Sequence, residues 1–320
     1  MNEPLVSKDQ FIGLDKCTWL YCGAESPTLR GSREAVNEYL AARSTGPHGR
    51  ERNAIIEQSV KHKLARLMHG KPENIALLSN ASEAISMIAR SLSFRSGDNV
   101  IVHTAEFPSG ILPWLALKEQ GVEVRVVPFR NWQVEVEDIM DRVDERTRLV
   151  MTSHVSYSTG SRIDYRKLYR ELLGTNALLL LDATQSLGVV PVHMYESDFV
   201  VSSTYKWLLA FHGAGVLGVN PERVQNLAPA YIGWRSVRDM FHERRFETFE
   251  LWDDARRFES GYPSYATLYG MDYSLGVLLS AGVENIEKHV LALGGLLIDE
   301  LSRLGFEVMT PADPARRASS

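Results

Sequence analysis

The stretch Leu178-Leu-Leu-Leu-Asp182-Ala-Thr-Gln185-Ser-Leu-Gly188 decides the fold class, because it sets a charged residue directly after a run of leucines. Such a continuous apolar run is typical of a strand buried on both faces, as in a parallel sheet covered by helices. In parallel α/β sheets, ligands bind beyond the carboxyl ends of the strands. Asp182 is therefore a candidate ligand-site residue, and a carboxylate there could keep a pyridine nitrogen protonated. The structural alternative is a helix N-cap or a turn aspartate.

The alternation of strands and helices continues on both sides of this stretch. Strands are predicted at residues 74–78, 100–103, 122–128, 149–153, 177–181, 197–202 and 216–220. Helices are predicted at residues 53–69, 80–92, 109–120, 135–143 and 164–173. Most strands are continuous apolar runs rather than alternating ones. We therefore predict an α/β fold with a mostly parallel seven-stranded sheet.

The pattern changes after residue 222. Residues 223–263 form an extended, aromatic-rich excursion, and helices are predicted at residues 264–282 and 284–304. Residues 305–309 are predicted to be the first strand of a new unit, which one strand after two helices does not complete. We expect an N-terminal helical and irregular segment, a large ligand-binding domain, and the start of a small, truncated C-terminal α/β domain, at residues 1–70, 71–265 and 266–320 respectively.

Composition excludes several classes of protein. The chain has 320 residues, is 44% hydrophobic and carries a formal net charge of -5, so it offers no basic face for nucleic acid. No apolar run approaches the roughly 20 residues needed to span a bilayer. Only two cysteines occur, Cys17 and Cys22, and no paired Cys or His motif predicts a metal site. We expect a cytoplasmic protein that binds neither nucleic acid nor membrane.

A second motif, Ser202-Ser203-Thr204-Tyr205-Lys206-Trp207, follows the next apolar strand. The apolar surroundings of Lys206 disfavour the ammonium form and favour a neutral, nucleophilic amine. A lysine that extends from a loop into solvent is the structural alternative. The pairing with the strand-end Asp182 favours a site, since the nearby hydroxyl groups are suited to bind a phosphate beside an aldehyde.

Two further motifs follow strands earlier in the chain. Asn80-Ala-Ser-Glu-Ala84 begins a helix, whose free backbone N–H groups attract an anion. Glu106-Phe-Pro-Ser109 offers an aromatic ring, Phe107, that could stack on a flat cofactor. The alternatives are an ordinary capping turn and a core phenylalanine.

Together these motifs resemble those of the class V aminotransferase family, which includes cysteine desulfurases and kynureninases. The matching pieces also include Arg257-Phe-Glu-Ser-Gly261-Tyr-Pro263, and the resemblance covers about residues 70–290. It implies the large-domain fold of aspartate-aminotransferase-like enzymes, which depend on pyridoxal 5'-phosphate (PLP), with a partial small α/β domain. The PLP-binding domain would be residues 71–265.

The resemblance also implies roles for single residues. Lys206 would form a Schiff base with PLP, and Asp182 would hold its ring nitrogen. Gln185 would hydrogen-bond the phenolic oxygen, and Phe107 would stack on the ring. Phosphate-binding positions match Ala81, Ser82, Ser203 and Tyr205, and a turn that reaches the partner subunit's phosphate matches Tyr262, where the family has threonine.

The function implied by the resemblance is PLP-dependent chemistry on an α-amino acid in a homodimer, by transamination or by β-elimination of the C–S lyase type. A desulfurase- or kynureninase-like lyase, or a non-catalytic binding protein of the same fold, are the alternatives. Desulfurases need a mobile cysteine late in the chain, whereas Cys17 and Cys22 come early. Kynureninases usually have histidine where Gln185 stands. The family also commonly uses a C-terminal arginine for the substrate carboxylate, which cannot be assigned to Arg316 or Arg317.

One competing motif is Gly213-Ala-Gly215-Val-Leu-Gly218, which fits the dinucleotide-binding pattern Gly-x-Gly-x-x-Gly. That fingerprint requires a strand before the glycines and a helix after them. Here a short strand and Pro221 follow instead. We expect the glycines to let the chain turn and re-enter the sheet after the loop that contains Lys206, here called the lysine loop. His103 and His154 end strands and are interpreted as structural, although both could line the pocket.

Overall fold

The computed structural model describes residues 3–224 and 226–318. These residues form one seven-stranded sheet in the order β1-β7-β6-β5-β4-β2-β3. The strands are β1 Ile75–Leu78, β2 Asn99–His103, β3 Glu123–Val127, β4 Thr147–Ser153, β5 Leu178–Asp182, β6 Phe199–Ser203 and β7 Gly215–Val219. Only β7 runs antiparallel to its neighbours β1 and β6, and the other pairs are parallel. The predicted fold class is confirmed.

Nine α-helices lie within the described residues. They are α1 Arg30–Arg43, α2 Pro47–Leu67, α3 Ala81–Ser91, α4 Leu112–Leu115, α5 Val136–Met140, α6 Tyr165–Leu172, α7 Pro221–Val224, α8 Tyr265–Ala281 and α9 Val283–Arg303. None of the helices in this described part combines the length and apolar character needed to cross a membrane.

Two predicted elements are wrong. The helix expected at residues 109–120 is reduced to α4 between two short 3-10 turns, because Pro108, Gly110 and Pro113 interrupt the helical hydrogen bonding. The strand expected at residues 305–309 is irregular chain. A strand forms only where a neighbour takes its backbone hydrogen bonds, and no neighbouring strand lies there in the described residues.

The core occupies both faces of the sheet, as the continuous apolar strands predict. In β5, Leu179 and Leu181 pack on one side while Leu180 packs on the other, because side chains alternate along a strand. The first side is covered by α2, α6 and α8. The second is covered by α3 and the fully buried Trp114 of α4. Helix α1 lies outside this layer, against α2 and α8.

Candidate active site

The candidate site is a cleft at the edge of the sheet where β4, β5 and β6 end. The last residues of these strands are Ser153, Asp182 and Ser203, and Ser153 pairs directly with Asp182. The cleft is lined by Ala81, Ser82, Phe107, Ser109, Ser153, Val155, Tyr157, Asp182, Thr184, Gln185, Ser203, Tyr205 and Lys206. Parallel strands thus deliver polar side chains from distant parts of the sequence to one place.

Strand β7 brings the start of α3 to the same edge. Its first residue, Gly215, pairs with Leu78 at the end of β1 and with Ser203 at the end of β6. A Cβ atom on Gly215 would lie 2.4 Å from the carbonyl carbon of Asn80. Only glycine therefore allows this close approach. The glycines after the lysine loop serve the return of the chain, as predicted, since Gly213 has a φ of +95° and β7 follows at once.

The first turn of α3 offers backbone donors to the cleft. The cap residue Asn80 accepts the N–H of Glu83, and the Glu83 carboxylate accepts the N–H of Ser79. The N–H groups of Ala81 and Ser82 have no acceptor among the described residues. Such donors at a helix N-terminus attract an anion.

Asp182 is a buried carboxylate on one side of the cleft, with a relative exposure of 7%. Its pKa is raised from the ordinary 3.8 to about 6, chiefly because the carboxylate is buried. The nearby Glu106 charge contributes to this rise, while hydrogen bonds from Thr184 and the charge of Lys206 oppose it. Its Oδ1 accepts the backbone N–H of Thr184 at 2.8 Å. No ion pair joins Asp182 to a cation anywhere in the described chain.

Lys206 lines the same cleft. Burial lowers the pKa of its ammonium group, and the negative charge of Asp182 partly offsets this. Its Nζ lies 5.8 Å from the centre of the Phe107 ring, and Phe107 meets Tyr157 edge to face at 5.2 Å. The amine is therefore more easily deprotonated than an ordinary lysine.

Gln185 makes two hydrogen bonds that reach across the sequence. Its Nε2 donates to the carbonyl of Gly23 at 2.8 Å, and its Oε1 accepts from Trp207 Nε1 at 2.9 Å. The N-terminal segment beside Cys22 thus lies against the site, although the sequence places both cysteines far from it. Burial raises the pKa of the Cys22 thiol, which disfavours the nucleophilic thiolate.

Tyr205 and Tyr262 are placed differently. The Tyr205 ring lines the cleft and stacks on His212 at 3.9 Å, and its carbonyl accepts from the backbone N–H and hydroxyl of Ser26. Tyr262 lies outside the cleft of its own chain, is 57% exposed and packs edge to face on Trp234. Its predicted contact with a partner subunit stays a prediction.

The sequence reasoning missed several cleft residues. Ser109 Oγ lies 2.7 Å from Ser82 Oγ, and Thr184 Oγ1 accepts the N–H of Ser203, which ties the ends of β5 and β6 together. Both belong to the motifs quoted above, and their positions two residues after Phe107 and Asp182 indicate that they lie at the site. Tyr157 follows the end of β4, and this position after a strand is the feature of the sequence that indicates a site residue.

A buried polar group lies behind the cleft. Glu106 accepts from the Ser153 N–H at 2.5 Å and from the Ser153 hydroxyl at 2.6 Å. His103 Nε2 lies 2.6 Å from Glu106 Oε1 and 3.0 Å from Thr152 Oγ1. His103 therefore contacts a carboxylate under the site rather than lining it. His154 is also buried, and burial lowers its pKa well below the usual value, so it is neutral and accepts from Arg162.

The two C-terminal arginines lie away from the cleft. The buried Arg317 donates to the carbonyls of Pro311, Ala312 and Leu291. Arg316 pairs with Glu135. Both guanidinium groups hold the C-terminal segment against the rest of the chain.

The fold and the cleft define a class: an α/β protein in which a half-buried lysine and a buried carboxylate line one ligand site beyond the ends of parallel strands. Residues 26–320 match the family Aminotransferase class-V. The chain belongs to the class V aminotransferase family.

A curated relative agrees with this assignment, and solved structures agree with the fold. A probable cysteine desulfurase of Methanothermobacter thermautotrophicus is 33% identical over 267 residues, which are 82% of this chain and 66% of that protein. The chain thus spans about two thirds of that relative's length. The apo structure of a cysteine desulfurase from Thermococcus onnurineus is 22% identical with a TM-score of 0.87, covering 100% of this chain and 81% of that one. A C-DES variant with glycine covalently linked to its PLP cofactor is 20% identical with a TM-score of 0.86, covering 93% and 81%.

Proposed function

We propose that the protein is a PLP-dependent enzyme that acts on an α-amino acid, with Lys206 as the residue that binds the cofactor covalently. The observation that carries this proposal is the shared cleft of Lys206 and Asp182, with a helix N-terminus at its side. Family membership supports the same cofactor.

The charge state of Asp182 tests whether the residues fit PLP. A carboxylate that is buried and has a raised pKa, without an ion-pair partner in the described residues, is costly in the folded protein. A protonated ring nitrogen would supply the missing positive charge. The buried carboxylate of Asp182 therefore fits the protonated pyridine nitrogen of PLP.

The opposite end of the cleft fits a phosphate. Ala81 and Ser82 contribute N–H groups at the start of α3, and Ser82, Ser203 and Tyr205 contribute hydroxyl groups. Phosphate binding at such a helix start needs no lysine or arginine. Phe107 would cover one face of the ring and Gln185 would bind its phenolic oxygen.

The chemistry divides between the cofactor and the chain. PLP, when bound, supplies an electron sink that weakens the bonds at the Cα of an amino acid. Lys206, once its amine is free, is the group that can take up or return the Cα proton, because burial favours its neutral form. Asp182 would keep a proton on the ring nitrogen of bound PLP, and its burial would strengthen that contact.

Two reaction types are consistent with this site: transamination and elimination of the C–S lyase type. The names of the relatives favour a sulfur-containing amino acid such as cysteine as substrate. A persulfide mechanism needs a reactive thiol, and the raised pKa of Cys22 argues against that residue. We therefore place C–S bond cleavage without a protein persulfide first, and a desulfurase-like lyase second.

A homodimer in the cytoplasm is part of the proposal. Three phenylalanines of the excursion are largely exposed, Phe241 by 76%, Phe246 by 87% and Phe249 by 60%, which suits burial against a second copy. Tyr262 would then reach the site of the partner. Both cysteines are free thiols, which suits a reducing compartment.

The proposal is tested by the Lys206→Ala variant. We expect it to lose the visible absorption band of lysine-bound PLP, borohydride-dependent labelling of the lysine, and all turnover of amino acids. The matched control is Lys167→Ala, which removes an exposed lysine paired with Glu137 and should keep the band. A Lys206→Ala variant that retains the band would refute the assignment. Product analysis of the wild type with cysteine, cystine and other amino acids then separates transamination from elimination.

A further inference from the structure

Gln185 is held between a group that can only donate and a group that can only accept. The Trp207 indole N–H has no lone pair to offer, and it meets Gln185 Oε1 at 2.9 Å. The Gly23 carbonyl has no hydrogen to give, and it meets Gln185 Nε2 at 2.8 Å. A 180° flip of the amide would place the Gln185 N–H groups against the Trp207 N–H and the Gln185 oxygen against the Gly23 carbonyl oxygen. Its orientation is therefore fixed by chemistry.

Trp207 is itself fixed in place. Its ring packs on Val155, Val189 and Val190. Its carbonyl lies so close to Gly188 that a Cβ there would be only 2.6 Å away, and Gly188 has a φ of +97°, which favours glycine. The turn after β5 and the residue after Lys206 thus pack together through backbone as well as side chains.

We infer that Trp207 is a positioning residue, which turns the Gln185 amide so that its nitrogen end, not its carbonyl, serves the phenolic oxygen of the cofactor. This inference rests on the proposed function, because it assigns a role toward bound PLP. A donor stabilises the anionic form of that oxygen, whereas a carbonyl in its place would repel the anion. Trp207 acts through Gln185 and does not itself need to touch the cofactor.

The test uses the pH dependence of the visible spectrum of the holoenzyme. Loss of a correctly turned donor makes the phenolic oxygen more basic, so a proton is held there to higher pH. We expect Trp207→Phe to raise the midpoint of the spectral titration by about one pH unit, the size expected from losing one hydrogen bond to a charged group. Gln185→Leu should raise it at least as much.

A double-mutant cycle separates positioning from a general structural effect. In the Gln185→Leu background, Trp207→Phe should shift the midpoint by less than about 0.3 pH units, since the amide it orients is gone. An equal shift in both backgrounds, or no shift in the wild-type background, overturns the inference. The matched control is Trp252→Phe, which loses an indole hydrogen bond to the Arg235 carbonyl outside the cleft and should leave the midpoint unchanged.

A second variant covers the case in which Trp207→Phe does not fold. Trp207→His keeps a ring N–H donor and is expected to keep the midpoint closer to wild type than to Gln185→Leu. A midpoint equal to that of Gln185→Leu would contradict the positioning role. If the wild type takes up no PLP and shows no lysine-linked band, the proposed function itself fails and the inference falls with it. If the wild type binds PLP but substitution of Trp207 leaves the midpoint of the spectral titration unchanged, only the inference is overturned.

Discussion

At the residue scale, Asp182 shows how a functional group costs stability before its ligand arrives. The folded chain buries this carboxylate, and its pKa rises from 3.8 to about 6. A folded-state pKa above the unfolded one means that the folded protein prefers the protonated form. The favourable contribution is complete below the unfolded pKa and is lost as pH rises through about 6. Above that range the ionised carboxylate destabilises the cofactor-free protein.

Replacing Asp182 by asparagine should remove that cost. Asparagine can still accept the N–H of Thr184, but it has no charge to bury. We expect the cofactor-free Asp182→Asn variant to be more stable than the wild type by about 2–3 kcal/mol at pH 8, and by about half of that at pH 5. Urea denaturation of both proteins at the two pH values measures this. The same variant should lose most of its enzymatic activity.

The controls for this prediction follow from the same residue. Thr184→Val keeps the backbone N–H that Asp182 accepts but removes the side-chain hydrogen bond that lowers the pKa of Asp182, so it should raise that pKa and enlarge the pH dependence. An Asp182→Asn variant with unchanged or lower stability at both pH values would show that burial of the charge is not the dominant effect.

Single site residues were predictable where a motif ends a strand. Asp182, Ser203 and Lys206 all line the cleft, as the sequence indicated. The sequence places Glu106 in a motif after β2, but its contacts to His103 and Ser153 depend on packing between β2 and β4. The bond between Gln185 and Gly23 joins positions that no local pattern connects.

At the element scale, the packing of β7 on the start of α3 forms the anion end of the cleft. A Cβ atom added to Gly215 would lie 2.4 Å from the carbonyl carbon of Asn80 and 2.6 Å from its Cα. Both are backbone atoms, so they can give way only if the start of α3 moves. This contact, together with the packing of α3 on β6 and β7, positions the helix N-terminus relative to Ser203.

We predict that Gly215→Ala destabilises the protein by about 1–3 kcal/mol, because the extra methyl group overpacks a backbone contact. It should also weaken PLP binding, since the N–H groups of Ala81 and Ser82 shift with the helix. Chemical denaturation and PLP titration measure the two effects. Gly294→Ala in α9 is the matched control: an added Cβ there has no neighbour within 4 Å, and alanine should stabilise the helix by up to about 1 kcal/mol. Similar behaviour of the two variants would argue against the role of Gly215.

Element types were easier to predict than element ends. The apolar runs located all seven strands of the described sheet, because six of them are buried on both faces and leave a strong signal, while the edge strand β3 is largely exposed or half-buried. Helix α2 begins at Pro47, six residues before the predicted start, since proline is well suited to the first turn of a helix. The residues around α4 share an apolar pattern with true helices, but their prolines decide the outcome.

At the scale of the whole molecule, a buried group of four charges joins parts of the chain that are far apart in sequence. Lys61 of α2 pairs with Glu259 at 2.7 Å, and Arg235 of the excursion contacts both Glu57 and Glu259. Glu259 also accepts the N–H of Leu77 in β1. The group thus ties α2, the sheet and the excursion together with balanced charge.

The sequence could not predict this group. Lys61 and Glu57 lie on a helix with an ordinary mixture of charges, and nothing local marks them as buried. The sequence of the excursion predicts only aromatic-rich chain without regular structure. Where its charged residues dock depends on the assembled sheet and helices, so the information is in the packing rather than in any segment.

Breaking the group should destabilise the molecule strongly. Lys61 and Glu259 are only 3% and 2% exposed, so Lys61→Met leaves a buried carboxylate without its ammonium partner and should cost about 3–5 kcal/mol. Adding Glu259→Gln removes the uncompensated charge, because Arg235 still pairs with Glu57, and should recover at least about 1 kcal/mol. Arg303→Ala breaks an exposed pair with Glu300 and should change stability by less than about 0.5 kcal/mol. Chemical denaturation of the wild type and the three variants measures these effects. Charge balance would not hold the excursion to the sheet if Lys61→Met were as stable as Arg303→Ala, or if the double variant were less stable than Lys61→Met.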